Sequence, residues 1–265
     1  MSQVQPGLML EEMTWKQAQQ ALAENRVIVV PLGASCKQHG LHLPLNNDAP
    51  IANWLARQLA HRLPVIIAPL LNVSYYPAFT DYPGSISIEL HTARDLMVQI
   101  CRSLAGHGAS RFYVINTGLS TEQPLAAAQT ILHGEGLRFD FLRFDDSLAG
   151  LDRTVFTQQF GSHADETETS LMLHIEPGVV DMKAARDDGA QGEGKLTRHT
   201  GRGIWSPSGV YGQATLAHAD KGRIEMPDGR PRQGFQDTGM NVGRARPHQG
   251  SDWWIKGDWH GLVPL

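Results

Sequence analysis

The sequence has little cysteine and no long apolar run. Only Cys36 and Cys101 occur among its 265 residues, which argues against a disulfide framework, and we expect both thiols to be reduced. No segment reaches the roughly 18 apolar residues of a membrane-spanning helix, and the first residues lack the basic and apolar regions of a signal peptide. The sequence therefore predicts a cytoplasmic protein without a membrane partner.

The excess of charge of one sign is also small. The 23 lysine and arginine residues nearly balance the 27 aspartate and glutamate residues, for a formal net charge of −4. No basic stripe with interleaved aromatic residues is present, so we expect no nucleic-acid partner. The hydrophobic fraction of 41% can form one substantial core, and no segment has the composition of a linker. We expect one domain over residues 1–265, with a loop-rich tail at about 223–265.

Strands and helices alternate along the first 175 residues. The apolar runs and the helical spacing of apolar residues distinguish the two kinds of element. The predicted strands are 27–33, 64–68, 112–116 and 139–142, and the predicted helices are 15–22, 50–63, 92–104, 123–133 and 166–175. This alternation is typical of α/β folds. We therefore expect a three-layer α/β sandwich around a mainly parallel central sheet.

Side chains that suit metal-assisted hydrolysis lie in two segments. The first segment follows the strand at 27–33, at the edge where open α/β sheets place their chemistry. Histidine and carboxylate ligands are the usual set where a metal ion activates water. The candidates are His39, His42, Asp48, His163, Asp165, Glu166 and Glu168. A purely structural role stays open, because Asp48, Asp165 and Glu166 all suit the start of a helix.

The same two segments resemble motifs of the creatininase (creatinine amidohydrolase) family. Residues 36–48 resemble the family pattern Glu-Gln-His-Gly-x-His-Leu-Pro-Leu-x-x-Asp, and residues 163–170 resemble its pattern His-Ala-Gly-Glu-x-Glu-Thr-Ser. Shorter matches extend the resemblance over roughly residues 8 to 225. It implies a creatininase-like fold, a homo-oligomer that is hexameric in family members, and hydrolysis of an amide or cyclic amide. The tail after residue 222 departs from the family.

The metal centre that the resemblance implies is only partly present. Active family members resemble one another in two metal ions bridged by an aspartate, which corresponds to Asp48. The other ligands of one ion correspond to His39 and Glu166, and both are present. The remaining ion should have a glutamate and a histidine, but these positions hold Lys37 and Gly118.

This pattern leads to the hypothesis of an amidohydrolase with one divalent ion. Zinc, manganese or iron held by His39, Asp48 and Glu166 would lower the pKa of a bound water. The ammonium of Lys37 would replace the charge of the lost ion and stabilise a developing oxyanion. The expected substrate is a small molecule with a carbon–nitrogen bond other than a peptide bond.

Two further site residues are expected, the first from the resemblance and the second from its spacing on a predicted helix. His163 corresponds to the family residue thought to give a proton to the leaving nitrogen, a role that suits a group with a pKa near neutrality. Glu168 lies two residues after Glu166 on a predicted helix, so it faces a different side and is expected to orient a neighbouring group.

Two other hypotheses remain open at the level of sequence. In the first, the protein is metal-free, Lys37 fills the metal space, and Cys36 paired with His163 provides another chemistry. In the second, the chain is not an enzyme and only binds a small molecule. The missing ligands at positions 37 and 118 favour these alternatives, whereas the retained His39, Asp48 and Glu166 favour the hydrolase.

Overall fold

The computed structural model describes residues 6–143, 155–189 and 192–223. The predicted tail at 223–265 therefore lies outside the described residues, apart from Arg223. Within the described ranges, no helix combines the length and the hydrophobicity that crossing a membrane requires.

A five-stranded parallel sheet forms the centre of the molecule. The spatial order is β1-β3-β2-β4-β5, and every neighbouring pair is parallel. The longest pairing joins β2 to β4 and ends where Leu32 pairs with Asn116. The strands are β1 (Leu8–Met9), β2 (Ile28–Leu32), β3 (Ile66–Ile67), β4 (Arg111–Asn116) and β5 (Arg138–Phe141). The prediction of a mainly parallel sheet is confirmed.

Helices occupy the predicted intervals between and after these strands. They are α1 (Trp15–Ala23), α2 (Asp48–Ala60), α3 (Leu90–Ala105), α4 (Glu122–Gly134) and α5 (Glu166–Ile175). Four short strands, paired two by two, follow α5: β6 (Asp187–Asp188), β7 (Leu196–Thr197), β8 (Ile204–Trp205) and β9 (Gly212–Gln213). The predicted helix at 50–63 begins two residues earlier than expected, which places Asp48 inside the helix.

The two faces of the sheet carry separate hydrophobic cores. Because side chains alternate along a strand, Ile28 and Val30 of β2 pack with residues of α3 and α4. Val29 points to the opposite face and packs with residues of α2 and α5. All five residues of β2 are buried. This arrangement is the three-layer sandwich that the alternation of elements predicts.

The edge formed by the carboxyl ends of β2 and β4 determines where the polar residues meet. The chain leaves both strands at neighbouring points, since Leu32 pairs with Asn116. Gly33 follows β2 directly, and a Cβ atom there would lie 2.3 Å from the carbonyl oxygen of Asp48. Glycine at 33 therefore allows the first turn of α2 to pack against the end of β2, which brings Asp48 to this edge.

The start of α1 offers a test of the local structure. Thr14 and Gln17 form a reciprocal capping box, in which each side chain accepts a hydrogen bond from the backbone N–H of the other. We expect Thr14→Ala to lower the free energy of unfolding by about 1 kcal/mol. Urea unfolding of the variant checks this, with the exposed mid-helix substitution Thr130→Ala as a control that should cost little. Equal stability of the two variants would contradict the capping role.

Candidate functional site

The loop between β2 and α2 carries the centre of the candidate site. Lys37 and His39 lie in this loop, and Asp48 is the first residue of α2. All three are buried, and the exposed fractions of Lys37 and Asp48 are only 3% and 1%. Charged side chains are this deeply buried only when they are paired or bind a ligand.

Asp48 contacts a cation on one oxygen and an imidazole on the other. Its Oδ2 lies 2.6 Å from Nζ of Lys37, and its Oδ1 lies 2.7 Å from Nε2 of His39. Burial alone would raise the pKa of Asp48, but the charges of Lys37 and His39 and their hydrogen bonds outweigh it and hold this pKa well below its usual value. Asp48 is therefore an ionised carboxylate in the protein interior.

Asp48 does not serve as the helix cap that its position in the sequence permits. The cap residue of α2 is Asn47, and no side chain caps this helix. The Asp48 carboxylate is already used by Lys37 and His39. The Asp48 carboxylate is therefore a partner of Lys37 and His39 and not a helix cap, and its expected role as a metal ligand stays a prediction.

The orientation of the His39 ring follows from its second nitrogen. Nδ1 lies 2.8 Å from the main-chain carbonyl oxygen of Lys37, and because a carbonyl only accepts, Nδ1 carries a hydrogen. Nε2 donates a hydrogen bond to the ionised Oδ1 of Asp48, so it must give up that hydrogen to bind a metal ion. A histidine whose Nδ1–H is fixed by a backbone carbonyl is the usual arrangement for binding a metal ion through Nε2.

His163 lies beside His39, with 4.8 Å between the ring centroids. Its Nε2 donates to the main-chain carbonyl oxygen of Gln38 at 2.9 Å, and its Nδ1 lies 3.7 Å from Oε2 of Glu168. Burial, with the charges of His39 and Lys37, lowers the pKa of His163 well below its ordinary value. The ring is therefore neutral, and the electron pair on Nδ1 faces Glu168.

Glu168 completes a cluster with the two histidines. Burial raises its pKa to about 7, against the opposing charges of His39 and Lys37, and its Oε2 accepts a hydrogen bond of 2.6 Å from the N–H of Ala164. One potential ligand atom each from His39, His163 and Glu168 lies within 4.8 Å of the others. Across the described ranges, no other trio of histidine, cysteine or acidic residues is grouped this closely.

Glu166, which the sequence assigned to the metal ion, has other partners. Its carboxylate forms an ion pair with Lys221 and accepts hydrogen bonds from the backbone N–H groups of Thr157 and Gln158 at 2.8 and 2.6 Å. Residues two apart on a helix project about 200° from each other, so Glu166 and Glu168 cannot face the same site. The structure thus brings Glu168, and not Glu166, to the histidines.

Position 118, where the family has a histidine, is bordered by Tyr76. A Cβ atom at Gly118 would lie 3.8 Å from Cε1 of Tyr76 and 3.1 Å from Oγ1 of Thr121. Nζ of Lys37 lies 5.6 Å from the ring centroid of Tyr76 and 4.9 Å from that of Phe79. An ammonium group and two aromatic rings therefore lie close together in this region, and one of the rings borders Gly118.

A small cavity of about 40 Å³ adjoins the cluster. Because a water molecule needs roughly 10–15 Å³ of such volume, the cavity has room for a few waters. Asp165, one of the sequence candidates, lies in its wall but also caps α5 by accepting from the N–H groups of Thr167 and Glu168. The lining residues include Asp48, Thr117, Gln158, Ser162, Asp165, Thr167 and Glu168.

The side chains present are suited to one divalent ion. His163 offers a neutral nitrogen, His39 has the ring orientation of a metal ligand, and Glu168 supplies a carboxylate. Two histidines and a glutamate with an open position form a known ligand set of hydrolytic zinc sites. At the two positions where the family resemblance implies a glutamate and a histidine for a second ion, the chain has Lys37 and Gly118.

Gln38 is a site residue that the sequence analysis did not single out. Its main-chain carbonyl orients His163, and its side-chain Nε2 donates to the carbonyl oxygen of Gly209 at 2.9 Å. Gly209 has a φ of +83°, and a Cβ atom there would lie 2.2 Å from Oε1 of Gln38. Gln38 lies in the segment at 36–48 that carries the family resemblance, which is the available signal for it.

A family model described as "Creatininase: Creatinine amidohydrolase" matches residues 11–227 of the chain. A curated relative, the mycofactocin precursor peptide peptidase of Mycobacterium ulcerans, is 32% identical over 208 residues, which cover 74% of this chain and 78% of that protein. The creatinine amidohydrolase of Pseudomonas putida is 26% identical over 66% of this chain and 75% of its own length.

The solved structures agree with the fold. A structure described as "Creatininase Mn" superposes with a TM-score of 0.69 at 24% identity and covers 82% of this chain and 91% of that chain. At this identity the likeness supports the α/β fold and nothing finer. The prediction of fold class is confirmed by this match and by the parallel sheet itself.

The Lys37–Asp48 pair predicts a large effect of one substitution on stability. We expect Lys37→Met to lower the free energy of unfolding by about 3–5 kcal/mol, because it leaves a buried carboxylate with one partner fewer. Urea unfolding in the presence of a chelator measures this. Adding Asp48→Asn to Lys37→Met should recover part of the loss, because the uncompensated charge is then gone.

The matched control for this prediction is Lys195→Met. Nζ of Lys195 lies 3.5 Å from Oδ1 of Asp81, and both side chains are substantially exposed, so the substitution should cost less than about 1 kcal/mol. Similar losses for Lys37→Met and Lys195→Met would contradict the importance of the buried pair.

Proposed function

The chain belongs to the creatininase family, and on that basis we propose that it is a hydrolase of a carbon–nitrogen bond with a single divalent ion. The contact of Lys37 with Asp48 carries this proposal. A buried ammonium on the aspartate that corresponds to the family's bridging residue supplies one positive charge, and the cluster beside it is suited to one ion.

His39, His163 and Glu168 would hold the ion. Their ligand atoms lie within 4.8 Å of one another, and Asp48 borders the same space through its contact with His39. When bound, such an ion lowers the pKa of water and so supplies a nucleophile at neutral pH. Zinc and manganese both accept nitrogen and oxygen ligands of this kind.

The proposal changes three assignments made from the sequence. Asp48, expected as a ligand, is instead the partner of Lys37 and His39. Glu168 replaces Glu166 as the carboxylate ligand, because the carboxylate of Glu166 is bound by Lys221 and by two backbone N–H groups. His163 becomes a ligand and not the proton donor, because its one N–H is used by the carbonyl of Gln38 while its electron pair faces the cluster.

Lys37 would provide electrostatic stabilisation of the transition state. Its ammonium is fixed by Asp48 at 2.6 Å and by the faces of two aromatic rings, so little reorganisation is needed when negative charge develops on a carbonyl oxygen. A positive charge held in position in a buried site stabilises such an oxyanion more strongly than one in water.

The substrate is proposed to be a small molecule with an amide or cyclic amide bond. The relative from Pseudomonas putida, named creatinine amidohydrolase, supports this class. A short peptide is the second candidate, because the relative with the higher identity, 32% against 26%, is named as a peptidase. Both candidate substrates contain an amide bond, and they differ in the groups attached to its carbonyl carbon and its nitrogen.

We expect metal-replete protein to contain about one divalent ion per chain by elemental analysis. Glu168→Gln should weaken metal binding by at least about tenfold, because it removes a charged ligand. The matched control is Glu166→Gln, two positions earlier on the same helix, which should lower stability but leave metal content unchanged. Loss of the ion from Glu166→Gln but not from Glu168→Gln would instead support the assignment made from the sequence.

We expect hydrolysis of at least one compound from a panel of cyclic amides, acyclic amides and short peptides. A chelator should abolish this activity, and zinc or manganese should restore it, because the nucleophile depends on the ion. Cys36→Ala should retain activity, since none of the described residues forms a hydrogen bond with the Cys36 thiol. Activity that resists chelation but is lost in Cys36→Ala would favour the metal-free alternative, and inactivity of metal-loaded protein on the whole panel would favour the non-enzymatic binder.

Three expectations from the sequence stay predictions. They are a homo-oligomer, hexameric as in the family members that the chain resembles, a cytoplasmic location, and the absence of nucleic-acid and membrane partners. The charge balance and the lack of long apolar runs support the last of these.

A further inference from the structure

Tyr76 has a buried hydroxyl group without a partner. The residue is 2% exposed, and among the described residues none forms a hydrogen bond with its hydroxyl. Tyr82, in the same segment, is also buried, but its hydroxyl donates to the carbonyl oxygen of Ser206 at 2.8 Å. A buried polar group without a hydrogen bond destabilises a protein. A ligand that accepts a hydrogen bond from the Tyr76 hydroxyl would therefore stabilise this one.

One edge of the Tyr76 ring borders the position that lacks a side chain. Cε1 of Tyr76, the ring atom next to the hydroxyl-bearing carbon, lies 3.8 Å from where a Cβ atom of Gly118 would be. The next residue, Leu119, is 56% exposed, so the loop that borders the Tyr76 ring reaches the protein surface one residue further on.

The backbone holds Tyr76 in this place. Its N–H donates to Oγ of Ser87 at 2.8 Å, and its carbonyl oxygen accepts a hydrogen bond from the N–H of Phe79. Burial, and to a smaller extent the charge of Asp48, raise the pKa of Tyr76, so the hydroxyl keeps its proton. Tyr76 thus presents a fixed hydrogen-bond donor, and Lys37 contributes a positive charge from the same region.

We propose, building on the hydrolase function above, that the hydroxyl of Tyr76 binds the carbonyl oxygen of the substrate and the carboxylate oxygen of the product. A hydroxyl donor and an ammonium both suit an oxygen acceptor that gains negative charge. Tyr76 in this role contacts the substrate directly, on the side of the site where the family's second ion is missing.

The experiment compares Tyr76→Phe with Tyr82→Phe, using acetate as the simplest carboxylate product. The midpoint of thermal unfolding is measured against acetate concentration, with chloride replacing acetate to keep the ionic strength constant. Without acetate, Tyr76→Phe should be at least as stable as the wild type, because it removes an unsatisfied group, whereas Tyr82→Phe should be less stable. Acetate should stabilise the wild type and Tyr82→Phe, and its affinity for Tyr76→Phe should fall by about tenfold to hundredfold.

Three outcomes would overturn the proposal. If Tyr76→Phe is destabilised as much as Tyr82→Phe, the hydroxyl already has a partner such as a buried water. If acetate fails to stabilise the wild type, or stabilises Tyr76→Phe equally, the hydroxyl does not bind a carboxylate. Because this assay uses neither turnover nor metal content, its failure is distinguishable from failure of the hydrolase proposal, which elemental analysis and the amide panel test separately.

Discussion

The buried carboxylate of Asp48 is the interaction on which the site depends. An ionised group with 1% exposure is stable only if charge and hydrogen bonds replace the water that it has lost. Lys37 and His39 do this, one at each oxygen. The path of the loop between β2 and α2 follows from this requirement, because the loop must bring both residues back over the first turn of α2.

The fold could be predicted from the sequence because its signals are local and repeated. The apolar runs at β2 and β4 and the helical spacing between them indicated a parallel sheet, and the pairing of Leu32 with Asn116 places their ends at one edge. Lys37, His39 and Asp48 could be expected to meet for a similar reason, since all three lie in the single connection that leaves β2. Because so few residues separate these three side chains, the connection has few conformations that would keep them apart.

The remainder of the site depends on contacts between distant segments. The sequence could show that Glu166 and Glu168 face different directions, but not which of them faces the histidines. Lys221, 55 residues after Glu166, pairs with that carboxylate, and so Glu168 is the one that lies beside His163. Tyr76 was missed for the same reason, because no local pattern shows that its hydroxyl lacks a partner and that its ring borders Gly118.

Gly209 shows how far the requirements of such a centre extend. A Cβ atom at this position would lie 2.2 Å from Oε1 of Gln38, the residue whose main-chain carbonyl accepts from the ring of His163. Its φ of +83° is also one that residues with a side chain rarely adopt. A substitution at position 209 therefore requires both a strained backbone and a shift of the Gln38 side chain, although position 209 supplies no ligand.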